Sequence, residues 1–339
     1  MTRQADGDGS MRTFSWGVIA PGRIAQRFAA CFAAIDDARV LAVASSNRER
    51  GDAFAQRFGC ERVYGDYREL AQDPDIDAIY IANPHRYHLE TALLCIDAGK
   101  PVLCEKPLTV SAGQAQRLMD AASNRNVFLM EALWTRFIPV WRQVKQWVDA
   151  GAIGDVVLMD SRFGYKAERV KGDRVFERDL AGGALLDIGI YNLSMSQFVM
   201  GRDPVSFVCD GVVGETGVDE RVSAILNYGG PASQFTCNLL SNTDNGFRIY
   251  GSKGRIEIPA DFWEASTATL ITHDGACETF DGPLLANGFE YQVMHAMARI
   301  RAGELQSDVI PWRDTLATQT LMDAILARLG VIYPFLAQQ

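Results

Sequence analysis

Over the first 150 residues the chain alternates short apolar runs with amphipathic stretches. The runs Phe14–Ala20, Val40–Ser45, Asp77–Ala82, Val102–Cys104 and Val127–Glu131 have the length and continuity of strands buried on both faces. Between them, Pro21–Cys31, Asp52–Phe58, Tyr87–Ala98 and Ser111–Asn124 carry helical spacing. Such alternation predicts a doubly wound parallel sheet. After a helix over Trp141–Ala150 the pattern turns strand-rich, with runs at 156–163, 205–213, 221–228, 234–240, 247–250, 255–258 and 268–272 between glycine turns. That predicts an antiparallel sheet, closed by helices over Tyr291–Ala302 and Arg313–Leu329. The expected fold class is therefore α/β: a Rossmann-type domain over 13–135, then an α+β domain over 136–339 with a large, open, mostly antiparallel sheet. The last helices are free to pack back on the first domain.

The ends of the early strands carry the chemistry. Val102-Leu103-Cys104-Glu105-Lys106-Pro107 follows a Gly99-Lys100-Pro101 turn, and ligands of open α/β sheets bind at the carboxyl ends of the strands. Lys106 is thus expected in a crevice; its plainer reading is a solvated lysine in a turn. The first strand runs into Pro21-Gly22-Arg23-Ile24-Ala25, where a dinucleotide fingerprint would place its glycines at 20, 22 and 25. Gly22 keeps the middle position, which lets backbone N–H groups and the helix start approach a pyrophosphate; Ala20 departs from the pattern at the first. The second strand ends in Ser45-Ser46-Asn47-Arg48-Glu49-Arg50 with no acid at its tip. An acid there would bind the ribose 2′-hydroxyl of NAD, whereas Ser46 and Asn47 with Arg48 or Arg50 can receive a 2′-phosphate, so NADP is expected over NAD. One of the two arginines would then be only a solvated residue of the helix start.

Composition narrows the classes. At 339 residues two domains are expected, and 48% hydrophobic residues supply both cores. A net charge of −9 argues against nucleic acid and anionic membrane as partners. No apolar run approaches the ~20 residues of a membrane helix. Seven scattered cysteines suggest neither a disulfide framework nor zinc, which fits a reducing cytoplasm. Residues 1–12 lack the apolar core of a signal peptide and read as a disordered tail, or as lying upstream of a start at Met11.

In the second domain, Ala181-Gly182-Gly183-Ala184-Leu185-Leu186-Asp187-Ile188-Gly189-Ile190-Tyr191 opens a helix on two glycines. Asp187 and Tyr191 stand at i and i+4, which puts a carboxylate and a phenol on one face, ~6 Å apart at Cβ. Each could otherwise be an ordinary helix residue. His85 and His88 stand at i and i+3, but no third ligand is suggested nearby and no metal is expected.

Together Cys104-Glu105-Lys106-Pro107, Met130 to Phe137, Ala181 to Tyr191 and Tyr250-Gly251-Ser252-Lys253-Gly254 resemble the Gfo/Idh/MocA family of oxidoreductases, from Trp16 to Pro334. Tyr191, where many members carry histidine, is similar to the branch acting on dihydrodiols and pyranoses. The resemblance implies that Lys106 and Tyr191 are a catalytic pair and that Asp187 hydrogen-bonds substrate. A lysine ammonium near the phenol would favour the phenolate that accepts a proton as hydride leaves for NADP. Asn83, Pro84, His85 and His88 would line the cofactor crevice, with Glu105 and Pro107 fixing the backbone of Lys106. Trp134 and Arg136 would lie against the cofactor, although domain-junction packing with the arginine paired to an acid is a compatible reading. Phe163 resembles a substrate-pocket aromatic. The expected activity is an NADP-dependent dehydrogenase or reductase of a secondary alcohol or hemiacetal on a cyclic polyol or sugar, in a homodimer formed through the second sheet. A glucose-fructose type oxidoreductase with tightly held cofactor and a non-enzymatic nucleotide sensor are the alternatives.

Overall fold

The computed structural model describes residues 12–170 and 172–338; the expected amino-terminal tail falls almost wholly outside them. The first half contains β1 (Phe14–Ile19), α1 (Arg23–Ala30), β2 (Ala38–Ala44), α2 (Arg48–Phe58), β3 (Arg62–Tyr64), α3 (Tyr67–Gln72), β4 (Ala78–Ile81), α4 (His88–Asp97), β5 (Val102–Glu105), α5 (Ala112–Arg125) and β6 (Leu129–Ala132). Its sheet has the order β3-β2-β1-β4-β5-β6, and every pair is parallel. β1, β4, β5 and β6 are buried along their whole lengths, which is why they read as continuous apolar runs. β3 and α3 carry no such signal, because three half-buried residues are too few to show a period. Helix α2 starts at Arg48, four residues before the apolar pattern suggests, because the Asn47 side chain caps it by accepting the Arg50 N–H at 2.8 Å.

The second half follows with α6 (Pro139–Asp149), β7 (Val156–Gly164), α7 (Ile190–Met200), β8 (Ser206–Val213), β9 (Asp219–Asn227), β10 (Ala232–Asn238), β11 (Phe247–Gly251), β12 (Gly254–Ile258), β13 (Thr267–Thr272), β14 (Cys277–Asp281), α8 (Phe289–Arg301) and α9 (Trp312–Leu329). The eight strands are ordered β14-β13-β12-β11-β7-β10-β9-β8, antiparallel except for the β7–β10 pair. Burial alternates along β9, β10 and β12, the pattern of a sheet covered on one face. The other face exposes Val208, Val212 and Ile225, with Val208 and Ile225 directly paired. Mostly exposed and polar, the edge strand β14 left no apolar pattern to read.

Helix α9 crosses back to the first sheet: Asp323 accepts the Ala112 N–H at 2.8 Å, and the Trp312 indole donates to Leu129 O at 2.8 Å. At the junction, Arg136 sits fully buried on a short 3₁₀ turn, Trp134–Phe137. It donates to Ser194 Oγ (3.0 Å), Ser194 O (2.9 Å), Gln197 Oε1 (2.7 Å) and Val309 O (3.3 Å), and pairs with Asp314 at 2.8 Å. Arg136 therefore faces the junction core and not the cofactor crevice; a guanidinium so fully engaged has no donor left to turn toward a ligand.

Candidate active site

A cleft of about 740 Å³ opens at the carboxyl ends of β1, β4 and β5, between the two sheets. At one end the β1–α1 turn passes through Ala20 at φ 64°, a left-handed conformation usually reserved for glycine, and the Gly22 N–H closes on Ala20 O at 2.8 Å. Gly22 supplies no side-chain cap, so the amino end of α1 presents open N–H groups. A Cβ at Gly22 would meet nothing closer than Ala20 O at 4.0 Å, so the space beside it belongs to the cleft. Arg23, Ile24, Pro84, His85 and Arg50 continue the wall. Asn83 donates to Thr91 Oγ1 at 2.7 Å, while its buried Oδ1 has no partner among the described residues. An uncapped helix start, a side-chain-free approach and an orphaned amide oxygen fit a dinucleotide.

At the β2 tip the polar residues divide. The Ser45 hydroxyl accepts the Asn47 N–H at 3.2 Å, the Asn47 Oδ1 accepts the Arg50 N–H, and Arg48 pairs with Asp52 at 2.9 Å. Arg50 alone of this group lines the cleft; Ser46 and Asn47 are exposed beyond its wall.

β5 delivers Lys106 to the middle of the cleft. Buried Glu105 accepts from the Tyr80 hydroxyl and, at 3.3 Å, from the Lys106 N–H, and the Lys106–Pro107 peptide is cis. His88 lies beneath, its ring nitrogens 2.8 Å from Pro107 O and 2.9 Å from Asn83 O. A neutral imidazole donates to only one of two carbonyls, yet burial outweighs them and pulls His88 down to about 4. Both nitrogens face carbonyls, so neither points at a metal.

From the opposite wall come Asp187 and Tyr191. Leu185–Gly189 forms a π turn that runs into α7, an irregularity common at functional sites. Lys106 Nζ donates to Asp187 O and stands 3.3 Å from its Oδ1, which also receives Arg174 at 3.1 Å. Burial alone would raise Asp187, but Lys106, Arg174 and His85 outweigh it and hold the carboxyl far below its usual range. The Tyr191 hydroxyl accepts the Trp134 indole N–H at 3.2 Å, and Lys106 Nζ lies 5.1 Å from the centre of its ring. Here the geometry departs from the expectation of an ammonium beside the phenol oxygen: the lysine faces the ring and bonds to Asp187. Burial, and after it Glu105, pushes Tyr191 well above the usual phenol value.

The remaining wall joins the expected Phe163 and Trp134 to residues that the sequence did not mark, Trp263, Tyr165 and Arg27. Phe163 stacks on Trp263 with centroids 3.7 Å apart and 5° between planes, and lies 5.7 Å from the Tyr191 ring. Trp263 belongs to a short turn entered through Asp261 at φ 42°. Tyr165 brings its hydroxyl to 3.5 Å from Asp187 Oδ2, and Arg27 stacks over Trp134 while paired with Glu264. Of the unmarked residues, apart from the aromatic pair Phe262-Trp263, none stands in a pattern that distinguishes it from its polar surroundings.

The family model described as the oxidoreductase family, NAD-binding Rossmann fold, matches residues 14–133, and the Gfo/Idh/MocA carboxyl-terminal domain matches 141–257. The chain belongs to the Gfo/Idh/MocA family. Like other members of that family it is an NAD(P)-dependent oxidoreductase, acting on CH–OH groups. It is 37% identical over 331 residues to trans-1,2-dihydrobenzene-1,2-diol dehydrogenase of Xenopus tropicalis, covering 94% of this chain and 99% of the relative. The Homo sapiens protein of that name is 32% identical, covering 94% and 98%. Among solved structures, a 3-ketoreductase from Actinomadura kijaniata in complex with NADP and TDP-benzene aligns with TM-score 0.83 and 30% identity over 93% of this chain and 98% of its own. Levoglucosan dehydrogenase in complex with NADH and levoglucosan shares the fold, with TM-score 0.85 at 20% identity over 94% and 97%. No helix among the described residues is long and apolar enough to cross a membrane.

Proposed function

We propose that the protein is an NADP-dependent dehydrogenase or reductase of a secondary alcohol or hemiacetal on a cyclic polyol, an aldopyranose or a trans-dihydrodiol. The observation that carries this reading is the convergence of Lys106, Asp187 and Tyr191 in one cleft, between an uncapped helix start and an aromatic floor. The cofactor, when bound, supplies the hydride acceptor for oxidation and the donor for reduction. Tyr191 Oη takes the proton of the substrate hydroxyl and returns it in reduction. Neutral and buried in the free enzyme, the phenol requires added positive charge to give up its own proton; the Trp134 N–H and Arg27 act in that direction, and Lys106 lies over its ring. Asp187, held ionised by Lys106 and Arg174, accepts hydrogen bonds from neighbouring hydroxyls and so orients the ring. Phe163 and Trp263 offer a flat apolar surface to its C–H face.

NADP preference rests on Arg50, the one residue of the β2 tip group on the cleft wall, where no acid would repel a phosphate. That the relatives of this name act on a trans-dihydrodiol, and that one neighbour holds NADP, supports the choice. The exposed Val208, Val212 and Ile225 suit a homodimer packed sheet to sheet, which sedimentation would test. A panel of pyranoses and trans-diols with NADP and NAD, followed by absorbance of the reduced nicotinamide, tests the whole. Turnover of at least one class with NADP preferred is expected; activity with none, or preference for NAD, overturns it.

A further inference from the structure

Behind the helix that carries Asp187 and Tyr191 lies an acid that the mechanism does not use. Asp219 begins β9 and is fully buried. Its Oδ2 accepts the Leu185 N–H at 2.7 Å, with the Ala184 N–H a further donor, so the carboxylate caps the π turn from below. Its Oδ1 has no hydrogen-bond partner and Asp219 makes no ion pair among the described residues. Of the two glycines that open the helix, Gly183 admits the carboxylate and Gly182 admits the backbone of the preceding loop. Gly183 sits at φ 121°, and a Cβ on it would come within 2.3 Å of Oδ1; a Cβ on Gly182 would come within 2.5 Å of Arg174 O. The Tyr333 hydroxyl closes the turn by donating to Gly182 O at 2.6 Å. Serine or asparagine would cap the same N–H without a charge, and burying a carboxylate with no cation is costly.

We propose that Asp219 is a positioning residue whose negative charge holds the Gly182–Leu185 turn, and through it Asp187, in the place that captures substrate. The inference rests on the dehydrogenase reading above. Ionised, the carboxylate only accepts, which suits the N–H groups of Leu185, Ala184 and Asp219 itself that reach it. Once protonated it loses the charge that strengthens those bonds, and a neutral carboxyl holds the Ala184 and Leu185 N–H groups less firmly, so the turn loosens. The Asp187 N–H bonds to Gly183 O at 3.2 Å and the Asp187 carbonyl receives Lys106, so a shift at Gly183 reaches both. Burial pushes the Asp219 carboxyl up to about 7, so both forms are populated near neutrality. The groups facing it are the buried Cys237 thiol on β10, raised well above its usual value, and the Tyr333 phenol. Arg169 is taken by Glu220 on the same strand. Elsewhere in the site, burial and then Arg174 lower His85, His88 stands at about 4, Asp187 lies far below neutrality and Tyr191 far above. None of these supplies a neutral-range ionisation.

Asp219→Asn tests the proposal in two ways. In wild type the KM for the alcohol should rise ~5- to 10-fold from the alkaline to the acid side of neutrality, while Asp219→Asn shows a flat KM and keeps the alkaline kcat limb of Tyr191. The same KM limb in both proteins overturns the assignment. Independently of turnover, a carboxyl raised on folding gives full stability below its unfolded value and loses it as pH climbs through the folded one. Tm of Asp219→Asn minus Tm of wild type should therefore grow from pH ~4 to ~7 and level off above; a constant difference overturns the titration outright. No turnover with any sugar or diol would defeat the dehydrogenase reading and leave the Tm comparison to decide this one. Should Asn not fold, Asp219→Ser, an uncharged cap, takes its place with the same expected outcomes.

Discussion

The two ends of the cleft are built from different materials. The end proposed for the cofactor rests on backbone, with a left-handed Ala20, the bare Gly22 and the open N–H groups of α1, and adds Arg23, Pro84, His85 and Arg50 as its wall. Large side chains from five separate places in the chain make the substrate end: Lys106, Phe163, Arg174, the Asp187–Tyr191 pair and Trp263. Backbone donors cannot be tuned one at a time, so the first end is suited to a constant ligand. Side chains can be exchanged singly, so the second is where members of one fold diverge.

Substitution should separate the two ends by kinetics. Largest is Tyr191→Phe, which keeps the ring against Phe163 and removes the proton carrier: kcat should fall ~100-fold or more, with Tm changed by no more than the loss of one neutral hydrogen bond. Full activity would make Tyr191 a packing residue. Lys106→Met should lower kcat by a similar ~100-fold while NADP binding, measured by fluorescence titration, stays near wild type. A loss of NADP affinity instead would move Lys106 to the cofactor end. Gly22→Ala has room for its methyl in the free protein, so Tm should hold while KM for the cofactor rises ~10-fold. Unchanged KM would mean that nothing approaches Gly22 closely. Smallest is Arg50→Ala, a few-fold rise in KM for NADP and none for NAD; equal effects on both would remove the phosphate from this residue.

The same division governs what could be read in the sequence. Buried parallel strands leave continuous apolar runs, so the first sheet was legible; Gly22, Asp187 and Tyr191, singled out from local spacing, line the same cleft, although a π turn and not a plain helix carries Asp187. Contacts across many residues were not legible. Arg174 meets Asp187 only because a loop after β7 folds back over it, and Trp263 meets Phe163 through the turn after β12. Arg136 shows the converse: its place in a recognised segment suggested a ligand, while its partners lie 58 to 178 residues away, at Ser194, Gln197 and Asp314. Ser46 and Asn47 stand on the exposed start of α2 outside the cleft wall, a placement that the local sequence does not settle.

That burial of Arg136 also bears on how the gene can be cut. A desolvated guanidinium stripped of its carboxylate destabilises a fold by ~3–5 kcal/mol, a large share of what holds a domain together. Because Asp314 lies on α9, a fragment ending at the last strand of the second sheet, or a hybrid joined anywhere between Phe137 and α9, would leave that charge stranded. A joint near residue 135 keeps Arg136 and Asp314 in one piece but parts α9 from the first sheet, where Asp323 holds the Ala112 N–H and Trp312 holds Leu129 O, so a recombinant has to place its joint with both sets of contacts in view.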